Sequence, residues 1–246
     1  MISFFIPFYN EEKKGKKLNF FLKDLKKFIK HPANKKNYFL LYNDGSTDRT
    51  QVYLENFKKQ FKGKKILILS NINNRGVGYS FKKTIKHCKS KFLFFLPGDY
   101  DLSFEDLLHL NKYTKYDLTS LFPINFEKYS TGRYFLSMIF RMIYGIAFGV
   151  NVNYIQSPCL YKVKNLKKHK FLSNRFSIWP EVNIKLLRTN INFIEIPVLF
   201  KNKSVIDRTV SLKNFLEIVI MFLITFLEIK VFKRSFYKGK AKKNYV

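Results

Sequence analysis

The chain has 246 residues, of which 46 are lysine or arginine and 17 are aspartate or glutamate, giving a formal net charge of +29. Hydrophobic residues make up 46% of the sequence and aromatic residues 18%. This apolar fraction excludes a disordered polybasic tail, and the length suits one large domain or two closely packed halves. The two cysteines, Cys88 and Cys159, are too few for a disulfide framework or a thiolate zinc site, so we expect a reducing compartment.

Lysine supplies 38 of the 46 basic residues, and two explanations of this excess stay open. Nucleotide bias in the gene would enrich lysine without any selected partner. A functional charge of this sign would instead favour an anionic surface, either nucleic acid or acidic lipid.

In the first half of the chain, short apolar runs alternate with amphipathic stretches. The apolar runs predict strands at Ile2–Phe8, Tyr38–Tyr42, Lys65–Ser70, Phe92–Leu96 and Asp117–Phe122. The amphipathic stretches predict helices at Lys16–Lys30, Thr50–Phe61, Tyr79–Cys88 and Phe104–Lys112. This alternation predicts an α/β fold with a mostly parallel sheet that is covered by helices on both faces.

The second half has a less regular pattern. Its apolar stretches predict a helix at Thr131–Val150, a strand at Asn153–Tyr161, a helix at Pro180–Thr189 and a strand at Asn192–Phe200. A long apolar helix from Leu212 to Phe232 follows, and basic residues come after it.

Acidic residues are scarce, yet several follow predicted strands directly. Six of the 17 acids lie in the loops after the first, second and fourth strands: Glu11, Glu12, Asp44, Asp48, Asp99 and Asp101. Ligands of parallel sheets bind at the carboxyl ends of the strands. The sequence therefore predicts a functional site where these loops converge.

Asp99 and Asp101 form the candidate metal site. Alternate residues of an extended chain point the same way, which brings the two carboxylates near one point. Such hard oxygen ligands suit Mg²⁺ or Mn²⁺ held together with substrate phosphates. The alternative is a solvated turn that caps the next helix, but the neighbouring acidic loops favour the metal.

Two other strand-end loops are candidate substrate contacts. In Asn43–Asp48, either Thr47 or Asp48 can cap the following helix, whereas capping does not explain Asp44, which can accept hydrogen bonds from a base or a ribose hydroxyl. The Asn74–Gly78 loop combines glycines with a helix N-terminus, a suitable place for phosphate. It matches neither a dinucleotide-binding nor a P-loop motif.

These loops resemble, in order and spacing, those of family 2 glycosyltransferases of the GT-A fold: Ile6–Glu12, Asn43–Asp48, Asn74–Gly78 and Asp99-Tyr100-Asp101. Within that family the chain looks like the dolichyl- or polyprenyl-phosphate sugar transferases, over roughly residues 1–211. The resemblance implies a Rossmann-like, mostly parallel sheet flanked by helices. It also implies a nucleotide-sugar half at 1–130, an acceptor half at 131–211 and a membrane-associated helix and basic tail at 212–246.

The resemblance implies an inverting enzyme that takes a sugar from a nucleotide-diphosphate donor with Mg²⁺ or Mn²⁺ as cofactor. The candidate nucleotide-sugar contacts are Pro7, Tyr9, Glu11, Asn43, Asp44, Arg75, Gly76 and Asp99. Asp99 and Asp101 match the metal motif, with Asp101 as direct ligand and catalytic residue. Asn43 stands where the family usually has aspartate, and an amide presents donors as well as acceptors.

Three polar residues of the Thr131–Val150 helix are the candidate acceptor site. Arg133, Ser137 and Arg141 follow i,i+4 steps and share one stripe of an otherwise apolar helix. Arg133-x-x-x-Ser137 is similar to an Arg/Ser pair that grips the lipid phosphate in the polyprenyl-phosphate transferases. The alternative is an ordinary buried helix with arginine at its edges.

Two further residues match the second half of the family. Glu181 matches an acidic position, as a catalytic base or as a structural ion-pair partner. Arg208, in Asp207-Arg208-Thr209, occupies the place of a family loop near the diphosphate, and its guanidinium can reach phosphate.

The C-terminal helix has an apolar core shorter than the ~20 residues of a membrane-spanning helix. Glu217 and Glu228 lie about three turns apart, on one narrow stripe. The basic residues after Glu228 are Lys230, Lys233, Arg234, Lys238, Lys240, Lys242 and Lys243. This pattern favours an interfacial anchor on the anionic, cytoplasmic face of a membrane. A tilted single span and a helix docked on the domain stay as alternatives.

The leading hypothesis is a membrane-associated glycosyltransferase with a polyprenyl-phosphate acceptor. A transferase acting on a glycan hydroxyl in cell-envelope polysaccharide synthesis, and a relative that binds without turnover, stay open. A basic nucleic-acid-binding module is disfavoured because acids gathered at the strand ends would repel phosphate, so no nucleic-acid partner is expected.

Overall fold

A computed structural model describes residues 1–61, 63, 65–98, 102–125, 131–199 and 212–245. One eight-stranded sheet organises the chain, in the order β3-β2-β1-β4-β6-β5-β7-β8. The strands are β1 (Ile2–Phe8), β2 (Tyr38–Asn43), β3 (Ile66–Ser70), β4 (Phe92–Phe95), β5 (Leu118–Pro123), β6 (Cys159–Lys162), β7 (Asn192–Val198) and β8 (Lys242–Asn244). Among these strands β6 alone runs antiparallel to its neighbours, β4 and β5.

Helices cover both faces of the sheet. They are α1 (Lys16–Lys30), α2 (Thr50–Lys59), α3 (Val77–His87), α4 (Phe104–Leu108), α5 (Thr131–Phe148), α6 (Val163–Leu166), α7 (Ile178–Leu187) and α8 (Leu212–Leu227). Short 3-10 turns lie at Glu12–Lys14, Pro32–Asn34 and Leu110–Tyr113, and a π-helix at Glu228–Phe232 continues α8. The mostly parallel sheet with flanking helices is the predicted fold class, which is confirmed.

The predicted elements differ from the observed ones in both halves of the chain. The strand predicted at Asn153–Tyr161 begins only at Cys159, because the preceding residues turn: the Ser157 N–H donates to the Tyr154 carbonyl (3.3 Å). The helix predicted at Phe104–Lys112 ends at Leu108 and gives way to a 3-10 turn. The short elements α6 and β8 were not predicted.

Side-chain alternation along the strands builds a core on each face of the sheet. Phe4 of β1 stacks on Phe39 of β2, with ring centroids 5.1 Å apart, under α1 and α2. The next residue, Phe5, packs on Phe81 of α3 at 5.6 Å, on the opposite face. Continuous apolar strands are therefore explained by burial on both sides.

The C-terminal segment is part of this second core. Ile229 and Tyr237 are 1% and 2% exposed, and β8 pairs in parallel with β7 at the sheet edge. Lys243 of β8 forms an ion pair with Glu195 of β7. Within the described residues, no helix combines the length and the apolar character needed to cross a membrane.

The division at residues 130 and 211 stays a prediction. The sheet is continuous across the first of these boundaries, since β4 pairs with β6.

Candidate functional site

The loops that follow β1 to β4 meet at the carboxyl edge of the sheet. The Asp44 N–H donates to the Phe8 carbonyl, and the Asn71 N–H donates to the Asn43 carbonyl, each at 2.9 Å. Gly98, after β4, lies so close to β1 that a Cβ added there would sit 2.9 Å from the Pro7 carbonyl oxygen. The four loops therefore form one surface, as the parallel topology requires.

Hydrogen bonds between the first two loops fix the turn after β1. Asn10 adopts a φ of +51°, its N–H donates to Ser46 Oγ (3.0 Å), and its Oδ1 accepts from the Thr47 N–H (2.8 Å). The Glu11 N–H donates to Thr50 Oγ1 at 2.9 Å. Tyr9 lies beside this turn and is 43% exposed, so its ring is accessible to a ligand.

Two acids of this edge hold the loops together. Asp48 accepts from the N–H groups of Thr50 (3.0 Å) and Lys13 (3.3 Å). It therefore binds the first N–H of α2, although the N-cap residue itself is Arg49 and not the predicted Thr47 or Asp48. Burial alone would raise the pKa of Asp48, but the bonds from Thr50 lower it below its usual value. Glu12 binds the Arg49 guanidinium at 2.6 Å, and this hydrogen-bonded contact lowers its pKa.

Asp44 connects the second loop to the third. Its carboxylate is 3% exposed. Oδ1 accepts from Asn71 Nδ2 (2.6 Å), Ser80 Oγ (3.1 Å) and the Arg75 N–H (3.2 Å). Oδ2 accepts from the Gly76 N–H at 2.8 Å. Asp44 thus supports the Asn74–Gly78 loop, a role that the sequence did not reveal, while its predicted contact with a base or ribose stays a prediction.

The amide at Asn43 has a local explanation. Its Oδ1 accepts from the Ser46 N–H (3.0 Å), and its Nδ2 donates to Gln51 Oε1 (2.8 Å). Gln51 in turn donates to Glu55 at 2.9 Å. An aspartate could not donate to Gln51 in this arrangement, so the departure from the family pattern is matched by the neighbouring helix.

The N-terminus of α3, predicted as a phosphate site, contacts another part of the chain. The N–H groups of Gly78 and Tyr79 donate to the Asn174 carbonyl at 2.8 and 3.2 Å. A Cβ on Gly76, where φ is +91°, would lie 2.2 Å from that carbonyl oxygen. Both glycines are thus required by close packing of the chain, and phosphate binding at Gly76 stays a prediction.

Arg75 is the exposed cation of the same loop. Its guanidinium carbon lies 3.9 Å from the Tyr79 ring centroid, and Nη1 donates to the Tyr79 hydroxyl at 3.0 Å. The stacking orients the side chain without burying its charge.

Several predicted site residues lie outside the described part of the chain: Asp99, Tyr100, Asp101, Asp207, Arg208 and Thr209. Within the described part, no cluster of three or more His, Cys, Asp or Glu side chains could hold a metal ion. Asp44, Asp48 and Glu12 are engaged in the contacts above. The assignment of Asp99 and Asp101 as metal ligands stays a prediction.

Helix α5 carries the predicted acceptor stripe. Ser137 is half-buried and Arg141 is exposed, and the Arg133 side chain lies outside the described atoms. On the same side of the helix, Tyr144 and Phe148 are 4% and 0% exposed. The stripe therefore borders the face that packs on the protein.

Helix α5 packs against the C-terminal helix α8. The ring of Phe222 lies 5.0 Å from Tyr144 and 5.5 Å from Phe148, and Phe226 lies 6.0 Å from Phe148. Both helices also expose many apolar side chains. On α5 these are Tyr134, Phe135, Leu136, Ile139, Met142, Ile143 and Ile146, and on α8 they are Phe215, Leu216, Val219, Ile220, Leu223, Ile224 and Leu227.

The geometry of Glu181 fits the second of its two predicted roles, that of a structural ion-pair partner. It is 2% exposed, and Oε1 accepts from Lys185 Nζ (2.7 Å) and the Leu172 N–H (2.8 Å). Oε2 accepts from the Ser173 N–H at 2.9 Å. A general base must reach the proton that it removes. The catalytic role of Glu181 stays a prediction that this enclosed position does not favour.

Lys185 is a central residue that the sequence analysis missed. It is 0% exposed, and Nζ binds Glu181, Glu228 Oε2 (2.8 Å) and the Lys170 carbonyl (2.7 Å). Glu228 also binds Lys233 at 2.7 Å, so the negative charges of two carboxylates are balanced by the positive charges of two ammonium groups. The i,i+4 spacing of Glu181 and Lys185 was the available signal, because it typically marks a helical ion pair.

Known proteins match the chain at the level of family and fold. The family model for "Glycosyl transferase family 2" matches residues 3–172. No curated protein sequence matches the chain. The structural comparison aligns it with TarS 1–349 of S. aureus in complex with UDP (TM-score 0.56, 15% identity), covering 92% of this chain and 65% of that one.

Two other solved structures have the same fold. Glucosyl-3-phosphoglycerate synthase from Mycobacterium tuberculosis, in complex with Mg²⁺ and UDP, gives a TM-score of 0.60 at 11% identity, over 93% of this chain and 78% of that one. Mannosyltransferase PcManGT from Pyrobaculum calidifontis, in complex with GDP-Man and Mn²⁺, gives 0.61 at 13% identity, over 94% of this chain and 64% of that one.

The sheet topology, the strand-end edge and these matches define the chain as a protein of the GT-A glycosyltransferase class. The family match covers well over half of its residues, so the chain belongs to glycosyl transferase family 2. The chain spans less than two thirds of the length of the TarS chains that it matches.

Proposed function

We propose that the chain is an inverting, metal-dependent glycosyltransferase that moves a sugar from a nucleotide-diphosphate donor to a polyprenyl-phosphate-type lipid acceptor. The observation that carries the donor half of this proposal is the acidic edge at which four strand-end loops meet. Solved structures of the same fold hold UDP or GDP-Man together with Mg²⁺ or Mn²⁺, which supports the same donor class here.

The donor site combines an accessible ring, a cation and two carboxylates. In this proposal Tyr9, whose ring is accessible, contacts the nucleoside, and the exposed Arg75 contacts phosphate oxygens. Asp99 and Asp101 would hold Mg²⁺ or Mn²⁺ jointly with the diphosphate. A cation held there would supply positive charge that stabilises the leaving nucleoside diphosphate. A phosphate oxygen of the acceptor attacks the anomeric carbon from the face opposite the leaving nucleoside diphosphate. The new bond forms as the old one breaks, and the configuration of this carbon is inverted.

The acceptor proposal is supported by the enclosure of Glu181. A hydroxyl acceptor needs a general base, whereas a lipid phosphate is already anionic at neutral pH and needs cationic positioning. Arg133, Ser137 and Arg141 are the proposed phosphate contacts, and the Arg141 side chain is exposed for this role.

The surface for the lipid is proposed at the exposed apolar faces of α5 and α8. Ile146 and Leu223 are 80% and 52% exposed, and the basic C-terminal residues follow α8 directly. Apolar side chains beside lysines favour binding at an anionic membrane surface, here the cytoplasmic face. Both helices pack on the protein, which fits a peripheral mode of association.

The test of the reaction uses one labelled pool of UDP-, GDP- and CDP-sugars with Mn²⁺ and two acceptors, a short polyprenyl phosphate and an oligosaccharide. We expect transfer to the polyprenyl phosphate and a loss of about 10³-fold or more in Asp101→Ala. Glu105→Ala, an exposed acid of α4, is the matched control and retains activity. Activity retained in Asp101→Ala contradicts the metal assignment, and transfer to the oligosaccharide alone favours the glycan-hydroxyl alternative.

A vesicle assay tests the membrane surface separately. Vesicles with about 30% phosphatidylglycerol in phosphatidylcholine should bind the wild-type protein at low salt. Ile146→Asp combined with Leu223→Asp should weaken binding about 10-fold or more, because two apolar contacts are replaced by charges that the anionic surface repels. Val52→Asp on α2, where Val52 is 51% exposed, is the control. Equal binding of all three proteins contradicts the proposed surface.

A further inference from the structure

The 170–175 segment, between β6 and α7, lies where three helices meet. It contacts α7 through Glu181 and Lys185, α3 through the Asn174 carbonyl, and α8 through Glu217. Of the residues that make these contacts, Glu181 is the one already discussed as a catalytic candidate. The others are not among the catalytic or acceptor residues proposed above.

Helix α7 holds the segment by its backbone. Glu181 accepts from the N–H groups of Leu172 and Ser173 at 2.8 and 2.9 Å, and Lys185 donates to the Lys170 carbonyl at 2.7 Å. Both charged side chains are almost fully buried. Charge-assisted hydrogen bonds to backbone groups are short and strong, so this side of the segment is fixed.

Helix α3 receives the segment on the opposite side. The Asn174 carbonyl accepts from the Gly78 and Tyr79 N–H groups, and Lys82 Nζ donates to the Leu172 carbonyl (2.9 Å) and Asn174 Oδ1 (2.8 Å). Gly76 packs on the same carbonyl and donates to Asp44. A shift of the segment would therefore move the Asn74–Gly78 loop. This loop belongs to the donor edge, the carboxyl edge of the sheet at which the nucleotide-sugar donor is proposed to bind.

Helix α8 contacts the segment directly through Glu217, and the π-helix that continues it contacts the segment indirectly, through Glu228 and Lys185. Glu217 accepts from Ser173 Oγ at 3.1 Å, and Glu228 binds Lys185 at 2.8 Å. These are the two acids whose spacing puts them on one stripe of an otherwise apolar helix. Both point at the protein, so the stripe is a fixed attachment to the 170–175 segment.

We propose that the 170–175 segment couples the C-terminal helix to the donor site, with Glu217, Glu228 and Lys185 as positioning residues for nucleotide binding. Glu217 of α8 contacts the segment directly, and Glu228 contacts it through Lys185. The segment in turn contacts the N-terminus of α3 and the Asn74–Gly78 loop. The proposal rests on the proposed function for the identity of the ligand, whereas the mechanical coupling is independent of it. It gives the tail a role in donor binding, so that whatever displaces α8 also changes the donor loop.

The experiment compares the full-length wild-type protein with Glu217→Ala, which removes the acceptor for Ser173, and Glu228→Gln, which removes one charge beside Lys185. Tyr237→Phe is the matched control in the same tail, because it removes a hydroxyl that lies 3.2 Å from His169 Nδ1 and does not touch the segment. The first measurement is amide hydrogen exchange of peptides that contain Gly78 and Tyr79. The second is the dissociation constant for UDP, for GDP and for CDP, each with Mn²⁺.

We expect exchange at Gly78 and Tyr79 to be about 3- to 10-fold faster in the two glutamate variants, and nucleotide affinity to fall by a similar factor. Tyr237→Phe should leave both values within about 2-fold. Unchanged exchange at α3 in both glutamate variants, with faster exchange in α8 itself, overturns the coupling. Equal effects of all three variants, in proportion to their loss of thermal stability, also overturn it. A wild-type protein that binds none of the three nucleotides contradicts the proposed function, and the exchange data still decide the coupling.

Discussion

The donor edge and the attachment of the C-terminal helix both depend on buried carboxylates, but only the carboxylates of the attachment bind a buried cation. Asp44 accepts four hydrogen bonds from neutral donors: an amide, a hydroxyl and two backbone N–H groups. Glu181 and Glu228 share a buried lysine, Lys185, on the far side of the 170–175 segment.

This difference predicts different weaknesses. A carboxylate bound by neutral groups loses part of its support when one donor is removed, because the other donors remain. A buried ion pair that loses one partner leaves an uncompensated charge in a region of low polarity. The attachment of the tail should therefore be the more sensitive of the two to a single change of charge.

The largest effect is expected for Lys185→Met, which leaves Glu181 and Glu228 without their buried partner. We expect the free energy of unfolding to fall by about 3–5 kcal/mol, measured by urea denaturation. Adding Glu181→Gln and Glu228→Gln to this variant should recover part of the loss, since no unpaired carboxylate then remains at the buried site and the ammonium group of Lys233 is half-exposed. Lys233→Met, which removes the half-exposed partner of Glu228, should change stability by less than about 1 kcal/mol. Equal losses in the two lysine variants would show that burial of the charge is not what matters.

The next largest effect is expected at Gly76, where the 170–175 segment contacts the Asn74–Gly78 loop. Gly76→Ala would place a Cβ 2.2 Å from the Asn174 carbonyl oxygen at a φ of +91°. We expect a loss of about 2–4 kcal/mol, because strain at positive φ adds to a clash with backbone that is itself held on both sides. Gly15→Ala is the matched control: φ is +68°, nothing lies within 4 Å of the added Cβ, and about 1 kcal/mol is expected. Thermal denaturation of the two variants compares them, and similar shifts would contradict the packing explanation of Gly76.

The donor edge could be predicted from the sequence because its signals are local. Each strand ends in a short polar loop, so strand bounds in the first half came within one residue of the observed ends. The sequence indicates a functional role for Asp44 because capping of a helix does not explain its position. Its actual contacts come from Asn71, Arg75, Gly76 and Ser80, in a different loop and helix, and no pattern within either loop indicates that pairing.

The attachment of the tail could not be predicted in the same way. Lys242–Asn244 has no apolar alternation, so nothing in it indicates a strand, and β8 forms because β7 offers an open edge. Glu217 and Glu228 gave a signal in their shared stripe, but their partners, Ser173 and Lys185, are distant in the chain. Such pairings are set by tertiary packing rather than by local pattern.

A smaller effect is expected at Asp44 itself. Asp44→Asn turns one of its acceptors into a donor that faces an amide, a hydroxyl or a backbone N–H, and we expect a loss of about 1–3 kcal/mol with faster exchange in the Asn74–Gly78 loop. Ser80→Ala removes one of the four donors and should lose about 1 kcal/mol, since three remain. Chemical denaturation of both variants gives the comparison. A loss for Asp44→Asn as large as that for Lys185→Met would break the contrast between neutral and ionic support.

The smallest effect is a pH dependence next to the buried lysine. Burial, with Lys185 nearby, lowers the pKa of His169 from 6.5 to about 4, although Glu228 opposes this shift. The unfolded chain therefore takes up a proton at a higher pH than the folded protein does. The stabilising contribution is complete above about pH 6.5 and is lost as the pH falls towards 4, by about 1–2 kcal/mol after allowance for partial exposure. His169→Gln cannot titrate, so the difference in unfolding free energy between wild type and variant should shrink over this range and stay constant above it. A difference that does not depend on pH would mean that His169 is solvated, and that the low-polarity region around Lys185 does not extend to Tyr237.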